Sequence, residues 1–398
     1  MQTVAVERPP ELQRAWAYGY HTQLPTLRQV KRPPEPSSGQ VLIRVHAASL
    51  NPIDHITASG AHAALFSFRW PRVYGFDFCG AIVSVGSGVD THDVGEFVCG
   101  MIAGLPQRDS GSLAEYLLVA ADLAIKCKPK GTLRTVEFAS LPLVAITAAK
   151  AFRQCGLKED GSLAPDVLIT GGAGGVGTIA IQIAKKLFGA AWVATTASAG
   201  AKSDLCRRLG ADEVVDYKTA RFEEQLRERK FDAILDCTGE GAKCTALLRP
   251  GGGLCSITYA PTSDALRTWI NGLEPALART VTFGIPAIVN SSFGGGFVNL
   301  LLGGHRMEKK TARLQGKFTH LVGAPGGDAL EKVVRLVECG QIEPVIDRTF
   351  TFEEGAEAIK YHKSGRAAGK VVVVVHDNEQ NGGRGEGADG GSAAVACA

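Results

Sequence analysis

The chain has no CxxC pair and no cysteine cluster beside paired histidines, the spacings on which zinc or a disulfide framework depends. Its ten cysteines, at 79, 99, 127, 155, 206, 237, 244, 255, 339 and 397, therefore read as reduced, mostly buried thiols of an intracellular protein. Excess charge of either sign is also missing. The 43 basic and 40 acidic residues leave a formal net charge of +3 spread along the chain, so nothing marks a nucleic-acid or anionic-membrane surface. The start, MQTVAVERPP, has neither an apolar secretory core nor an acid-poor, Arg/Ser-rich transit composition. A cytoplasmic location is the expectation, with an organelle not excluded. From Thr280 to Gly304 there is no charged residue, yet Pro286, Asn290, two serines and a triple glycine interrupt the apolar run, which argues against a membrane span. That segment reads as a subunit interface or a cover over a substrate pocket, with shallow membrane association as the alternative.

What is present is a globular composition. The 398 residues are 45% hydrophobic and 21% charged, enough for about two domains. After the proline-rich lead KRPPEPSSG (Lys31 to Gly39), short apolar strands punctuated by glycine turns (QVLIRVHAASLN, AIVSVGSGV, GEFVCGMIAG) predict an antiparallel, barrel-like domain. From about Leu141 strands and helices alternate (DVLIT, GVGTIAIQIAKKLFG, AWVATT, AKSDLCRRLG, DEVVDY, FDAILDCTG), which predicts a doubly wound parallel sheet. GKVVVVV near the end is a buried strand expected to rejoin the first domain. The Gly-rich stretch from Asp377 to Ala398 has no periodicity and is expected to be a disordered tail.

Directly after the DVLIT strand, Gly172, Gly174 and Gly177 fall in G-x-G-x-x-G spacing and open a helix. The first glycine permits a tight turn, the second lets backbone approach a pyrophosphate, and the third lets helix pack close to strand, with helix amides facing the phosphates. NAD-preferring versions carry an acid at the end of the second strand, but no Asp or Glu occurs from Val167 to Ser203. Ser198 and Lys202 stand there instead and can meet a 2′-phosphate by hydrogen bond and charge. NADPH is the expected cofactor, the alternative for Lys202 being a solvated lysine at a helix start.

The motifs SLNPIDHITASG, GFDFCGAIVSVGSGV, GSLAEYLLV, ASLPLVAITAAKAF, TGGAGGVG, GADEVVDY, ILDCTG, LRPGGG and PVIDRTFTFEEGAEAIKYHKSGRAAGKVVV, in that order, resemble the medium-chain dehydrogenase/reductases, and among them the zinc-independent quinone oxidoreductase and enone reductase branch. The resemblance runs from about Val41 to Val375 and is weakest between Tyr259 and His320. It implies an α/β chain with a Rossmann-type doubly wound parallel sheet plus a GroES-like, mainly antiparallel β-barrel catalytic domain. The implied division is catalytic domain 1–140, NADPH-binding domain 141–305, a return to the catalytic domain over 306–376 and a tail from 377 to 398. Zinc-dependent relatives have a catalytic cysteine where this chain has Asn51, and Gly-His-Glu where it has Gly75, Phe76 and Asp77. Their four-cysteine lobe is also missing from GMIAGLPQRDSGSLAEY, so no metal site is expected and Cys79 reads as packing.

The resemblance further implies that Asn51 and Thr147 lie near the nicotinamide and Tyr217 near the adenosine phosphate. Gly174, Gly175, Val176 and Gly177 take the pyrophosphate, with Gly172 in the turn before them. Thr238 and Gly239, after a strand whose carboxyl end faces the cofactor, are read as ribose or nicotinamide contacts. Each hydroxyl has a plain structural alternative, as has Asn51, a turn residue before Pro52. Ile56 stands where some members have a tyrosine near the substrate. Asp54 reads as structural, His46 as a core or edge residue, and His55 as structural with proton transfer as the alternative. Lys370 reads as reaching the cofactor or as solvated.

Without a Lewis acid an alcohol is hard to ionise, whereas quinones and α,β-unsaturated carbonyls accept a hydride directly. The expected activity is thus reduction of a small quinone or enone, by a homodimer. An enoyl-thioester reductase and a non-catalytic NADPH sensor or scaffold are the competing readings, with a zinc alcohol dehydrogenase behind them.

Overall fold

The computed structural model describes residues 11–19, 24–58, 71–102, 111–129, 131–258, 317–320 and 327–376. Segment 280–304, the boundary at 305 and the tail from 377 lie outside them.

In the first third, β1 (Leu12–Tyr18), β2 (Thr26–Lys31) and β4 (Arg72–Val73) form a small sheet of order β2-β1-β4, and between them in sequence come β3 (Gln40–Ser49) and helix α1 (Pro52–Ala58). β3 is the centre of a seven-stranded sheet that also contains β5 (Asp77–Val85), β6 (Phe97–Met101), β7 (Tyr116–Ala120) and β8 (Ala124–Lys126). Its sequence, QVLIRVHAAS, is apolar at six of ten positions and is buried on both faces. One edge of β3 pairs with β5 throughout, while the other is shared: β7 takes residues 40–44. The rest goes to a strand from the far end of the chain.

That strand is β16 (Lys370–Val374), whose Val372, Val373 and Val374 pair antiparallel with Ser49, Ala48 and Ala47. Four successive valines suit a strand covered on both sides. The last strand thus joins the first domain's sheet. The sheet departs from pure antiparallel pairing at its rim, where β15 (Ile346–Thr351) runs parallel to β16. Helix α9 (Gly355–Lys363) makes the crossover between them, the connection that a parallel pair requires.

The middle of the chain begins with α2 (Gly131–Ala139) and α3 (Pro142–Gln154), and then alternates: β9 (Asp166–Ile169), α4 (Gly175–Lys186), β10 (Trp192–Thr196), α5 (Ala201–Arg208), β11 (Glu213–Val215), α6 (Phe222–Gln225), β12 (Phe231–Asp236), α7 (Gly241–Cys244), β13 (Leu248–Ser256) and β14 (Lys317–His320). All neighbouring strands are parallel and the order is β11-β10-β9-β12-β13-β14. In sequence of appearance that is 3-2-1-4-5-6, a doubly wound Rossmann sheet whose direction of growth reverses between β9 and β12. Helix α8 (Gly327–Glu338) buries Leu330, Val333, Val334 and Val337 in the main core, a spacing that puts all four on one face.

Two glycines of the fingerprint are dictated by packing. A Cβ on Gly172 would lie 2.2 Å from Thr195 Oγ1, and one on Gly177 would lie 2.3 Å from the Gly171 carbonyl and 2.6 Å from the Gly172 Cα. Helix α4 can sit this close to the β9 turn only because those side chains are missing.

Candidate functional site

The reversal point between β9 and β12 opens into a cleft of about 550 Å³. The β9–α4 loop, the end of β10 and the loop after β12 contribute from the parallel sheet, while Leu50–Pro52 and the Gly365–Lys370 stretch contribute from the other. Gly174 has extended backbone (φ −82°, ψ 174°) and caps α4 without any side-chain hydrogen bond. The nearest atom to a Cβ there would be the Gly171 carbonyl at 3.3 Å, so unlike Gly172 and Gly177 this glycine leaves a wall of the cleft open. A bare helix N-terminus behind a side-chain-free wall is a cradle suited to a pyrophosphate. On this observation the residues present fit a dinucleotide.

Of the residues singled out in the sequence, Asn51, Gly174, Gly175, Val176, Gly177, Ser198, Lys202, Tyr217 and Thr238 line the cleft together. Gly172, Gly239 and Thr147 do not. Thr147 is buried in α3 one turn beyond Val144, and it is Val144 with Leu143 that reaches the cleft. β10 ends at Thr196, whose Oγ1 accepts the Gly171 amide at 2.9 Å. Lys202 Nζ donates to the Arg366 carbonyl at 2.9 Å, which ties the start of α5 to the GRAAGK loop. Behind Thr238, the buried Asp236 Oδ1 accepts the amides of Thr238, Gly239 and Glu240 at 3.0 to 3.1 Å, and this sets the turn. Glu240, Cys237 and Ile257 also line the cleft; none of them carried a sequence signal.

Beside the β9–α4 loop, where a Cβ on Gly175 would lie 3.0 Å from Lys370 Cδ, a charge is buried. Lys370 is 4% exposed, which corrects the expectation of a solvated lysine. Its Nζ donates to Asn51 Oδ1 at 2.5 Å and to the Leu50 carbonyl at 3.1 Å, and lies 3.4 Å from Asp77 Oδ2. Asp77, fully buried, also accepts from Ser49 Oγ and Asn51 Nδ2 at 2.9 Å each and from the Leu143 amide at 3.0 Å. The reason is topological. β3 ends, β5 begins and β16 begins at the same place, so Ser49, Asp77 and Lys370 meet and Asn51 is clamped between acceptor and donor. Burial lowers the Lys370 pKa against the pull of Asp77 and Asp54. Asp54 accepts the Asn51 amide at 2.6 Å and is pushed well above the usual carboxylate range by burial.

Phe76 is packed in the barrel core and Cys79 is fully buried, 3.9 Å from the Cys127 sulfur. Among the described residues no group of three His, Cys, Asp or Glu side chains is placed to hold a metal ion.

His362, on α9, also lines the cleft. Its Nδ1 is 2.6 Å from His55 Nε2, and His55 Nδ1 is hydrogen-bonded in turn to the Tyr74 hydroxyl. Burial, reinforced by Lys363, lowers the His55 pKa to about 4, and burial, reinforced by His55 and Lys370, lowers that of His362 to about 3.

A Rossmann sheet with a phosphate cradle, set against a barrel that supplies buried polar groups to the same cleft, defines a nucleotide-dependent dehydrogenase or reductase of two domains. Residues 37–129 match the alcohol dehydrogenase GroES-like domain and residues 209–373 the zinc-binding dehydrogenase domain. The NAD(P)H oxidoreductase RTN4IP1, mitochondrial, of Danio rerio is 34% identical over 86% of this chain and 85% of its own. The 2-methylene-furan-3-one reductase of Solanum lycopersicum is 32% identical over 93% and 81%. Among solved structures, the quinone oxidoreductase from Coxiella burnetii superposes with a TM-score of 0.71 at 26% identity, covering 92% of this chain and all of that one. The chain belongs to the medium-chain dehydrogenase/reductase superfamily, in its quinone and enone oxidoreductase branch.

Proposed function

We propose that this protein is a zinc-independent, NADPH-dependent reductase that directs a hydride to a quinone or an α,β-unsaturated carbonyl. The observation that carries it is the Asn51–Lys370–Asp77 cluster: a buried ammonium held by an amide and a carboxylate, adjoining a phosphate cradle, at the position where zinc-dependent relatives carry metal ligands. When bound, NADPH supplies the hydride. Gly174, Gly175, Val176 and Gly177 hold its pyrophosphate, while Ser198 and Lys202, with no acid on β10, favour a 2′-phosphate. Asn51 stays fixed at the edge of the cleft because its Nδ2 donates to Asp77 and its oxygen accepts from Lys370, and it orients the reacting partners without itself exchanging a proton. Thr147, Tyr217, Thr238 and Gly239 are assigned lesser parts, Thr147 acting from behind Val144.

The same proposal divides the chain at 140, but the expected return to the barrel over 306–376 has to start later, because β14 still pairs with β13 in the parallel sheet and α8 packs on the same core; it extends to a homodimer and a cytoplasmic location. Sedimentation and cell fractionation test the last two.

The test of function is NADPH oxidation by purified, chelator-treated protein against quinones and enones of graded size, with NADH in parallel. Turnover that prefers NADPH and survives chelation is expected. NADPH binding without turnover of any acceptor would replace the proposal with a sensor or a carrier-bound substrate, and activity restored only by zinc would sink the zinc-independent part.

A further inference from the structure

The chemistry above leaves Tyr74, His55 and His362 unused. Tyr74 is 2% exposed, and among the described residues its hydroxyl has no partner but His55 Nδ1. A phenol with one acceptor in reach gives its proton to that acceptor, so His55 must carry its own proton on Nε2. That nitrogen then donates across 2.6 Å to His362 Nδ1, and the His362 proton is left on Nε2. The two rings are 4.8 Å apart between centroids and tilted by 45°. The order of protons is therefore set from the buried end outwards, and the outermost N–H belongs to a ring that lines the cleft and has no other partner for it among the described residues.

We propose that the Tyr74–His55–His362 chain holds His362 as a neutral imidazole whose Nε2–H donates a hydrogen bond to the carbonyl oxygen of the hydride acceptor. The inference rests on the reductase reading above. Tyr74 and His55 are positioning residues; His362 is the group that touches the substrate. When a hydride adds to the β-carbon of an enone, the π pair of the C=C bond moves to form an enolate and the negative charge collects on the former carbonyl oxygen. The fixed N–H meets that charge as it develops and keeps its own proton, and water later protonates the α-carbon. No proton travels along the chain.

Neutral rings suit this arrangement. An imidazolium at either histidine would put protons on both of its nitrogens, so that two N–H groups faced one another or the phenol lost its acceptor. Burial and two nearby lysines oppose that charge, and the phenol keeps its proton. Burial acts on both rings, Lys363 faces His55 and Lys370 faces His362, and near Tyr74 burial and Asp54 push the phenol upward. Tyr18 also faces Tyr74, with Arg72 beside Tyr18.

The test begins with ring ¹⁵N spectra of the full-length protein without nucleotide. Both histidines are expected as neutral Nε2–H tautomers at neutral pH and down to about pH 5. Tyr74→Phe removes the phenol proton, so His55 should populate both tautomers and kcat should fall about tenfold while NADPH affinity, read by fluorescence titration, holds within about twofold. His362→Phe should lower kcat/KM for an enone about 100-fold with NADPH affinity again unchanged, and His362→Gln, whose amide can donate, should recover part of it. Melting curves of the three variants exclude misfolding as the cause. An Nδ1–H tautomer at His362, its titration near the ordinary histidine value, or undiminished turnover by His362→Phe would overturn the proposal. So would a matching loss of NADPH affinity, which would assign the donor to the cofactor. Wild-type protein that turns over enones while His362→Phe does so equally well sinks this inference alone; an inactive wild type removes the reductase reading and this inference with it.

Discussion

At the scale of single residues the site is governed by Lys370. An ammonium taken out of water is tolerated only where acceptors surround it, and here Asn51 Oδ1, the Leu50 carbonyl and Asp77 do so. Lys370→Met keeps the volume but strands Asp77, whose remaining partners are the Ser49 hydroxyl, the Asn51 amide and the Leu143 amide. A loss of about 3 to 5 kcal/mol in unfolding free energy is expected, read from denaturant midpoints. A change below about 1 kcal/mol would mean that the pair is neutralised by other means. The histidine pair adds a pH dependence of definite sign. With folded pKa values of about 4 for His55 and about 3 for His362, below the unfolded value near 6.5, the unfolded chain binds protons first as pH falls. Their contribution is complete above pH 6.5 and disappears as pH falls toward the folded values. Midpoints measured from about pH 7 to pH 4 should fall less steeply in a His55→Gln, His362→Gln double variant than in wild type. Parallel slopes would deny the histidines any part in acid sensitivity.

At the scale of elements, two glycines of one fingerprint have opposite duties. Gly177→Ala drives a methyl into the Gly171 carbonyl and the Gly172 backbone, so α4 must move away from β9 and both stability and NADPH binding should fall. Gly174→Ala meets nothing nearer than 3.3 Å, so the fold should stay intact while the new methyl stands where a pyrophosphate must approach. Comparing melting temperature with NADPH affinity for the two variants separates the roles; equal destabilisation would erase the distinction. This spacing, and the strand and helix alternation around it, could be read in the sequence because both are local. Lys370 could not be placed that way. GRAAGK is a polar stretch that looks solvated, and only the pairing of β16 with β3 buries its last residue between Asn51 and Asp77. His362 is 307 positions from His55, so neither ring signals the other until α9 and α1 are packed. Thr147 shows the reverse: a helix residue near the right place whose neighbour Val144 holds the position on the cleft.

At the scale of the molecule, the chain's return to its first sheet ties nucleotide binding to the junction of the two sheets. Gly369 donates to the Ala173 carbonyl at 2.9 Å, so the β9–α4 loop is hydrogen-bonded to the residue that leads into the strand carrying Lys370. One helix further on, Gln182 of α4 makes a reciprocal pair with Glu343: its Nε2 donates to the Glu343 carbonyl at 2.8 Å, and its Oε1 accepts the Glu343 amide at 2.7 Å. Gln182 is buried, so Gln182→Ala leaves a backbone donor and acceptor unmet at the junction and should cost about 2 kcal/mol. If loop, helix and returning strand act as one unit, wild-type protein unfolds in a single transition that NADPH shifts upward as a whole, by about 2.7 kcal/mol at one hundred times its dissociation constant. In Gln182→Ala the transition should be lower and NADPH affinity several-fold weaker, although Gln182 does not line the cleft. A variant that loses stability yet binds NADPH as tightly as wild type would show that the junction serves the fold alone, and two separate wild-type transitions, with only one responding to NADPH, would show that the sheets are not coupled.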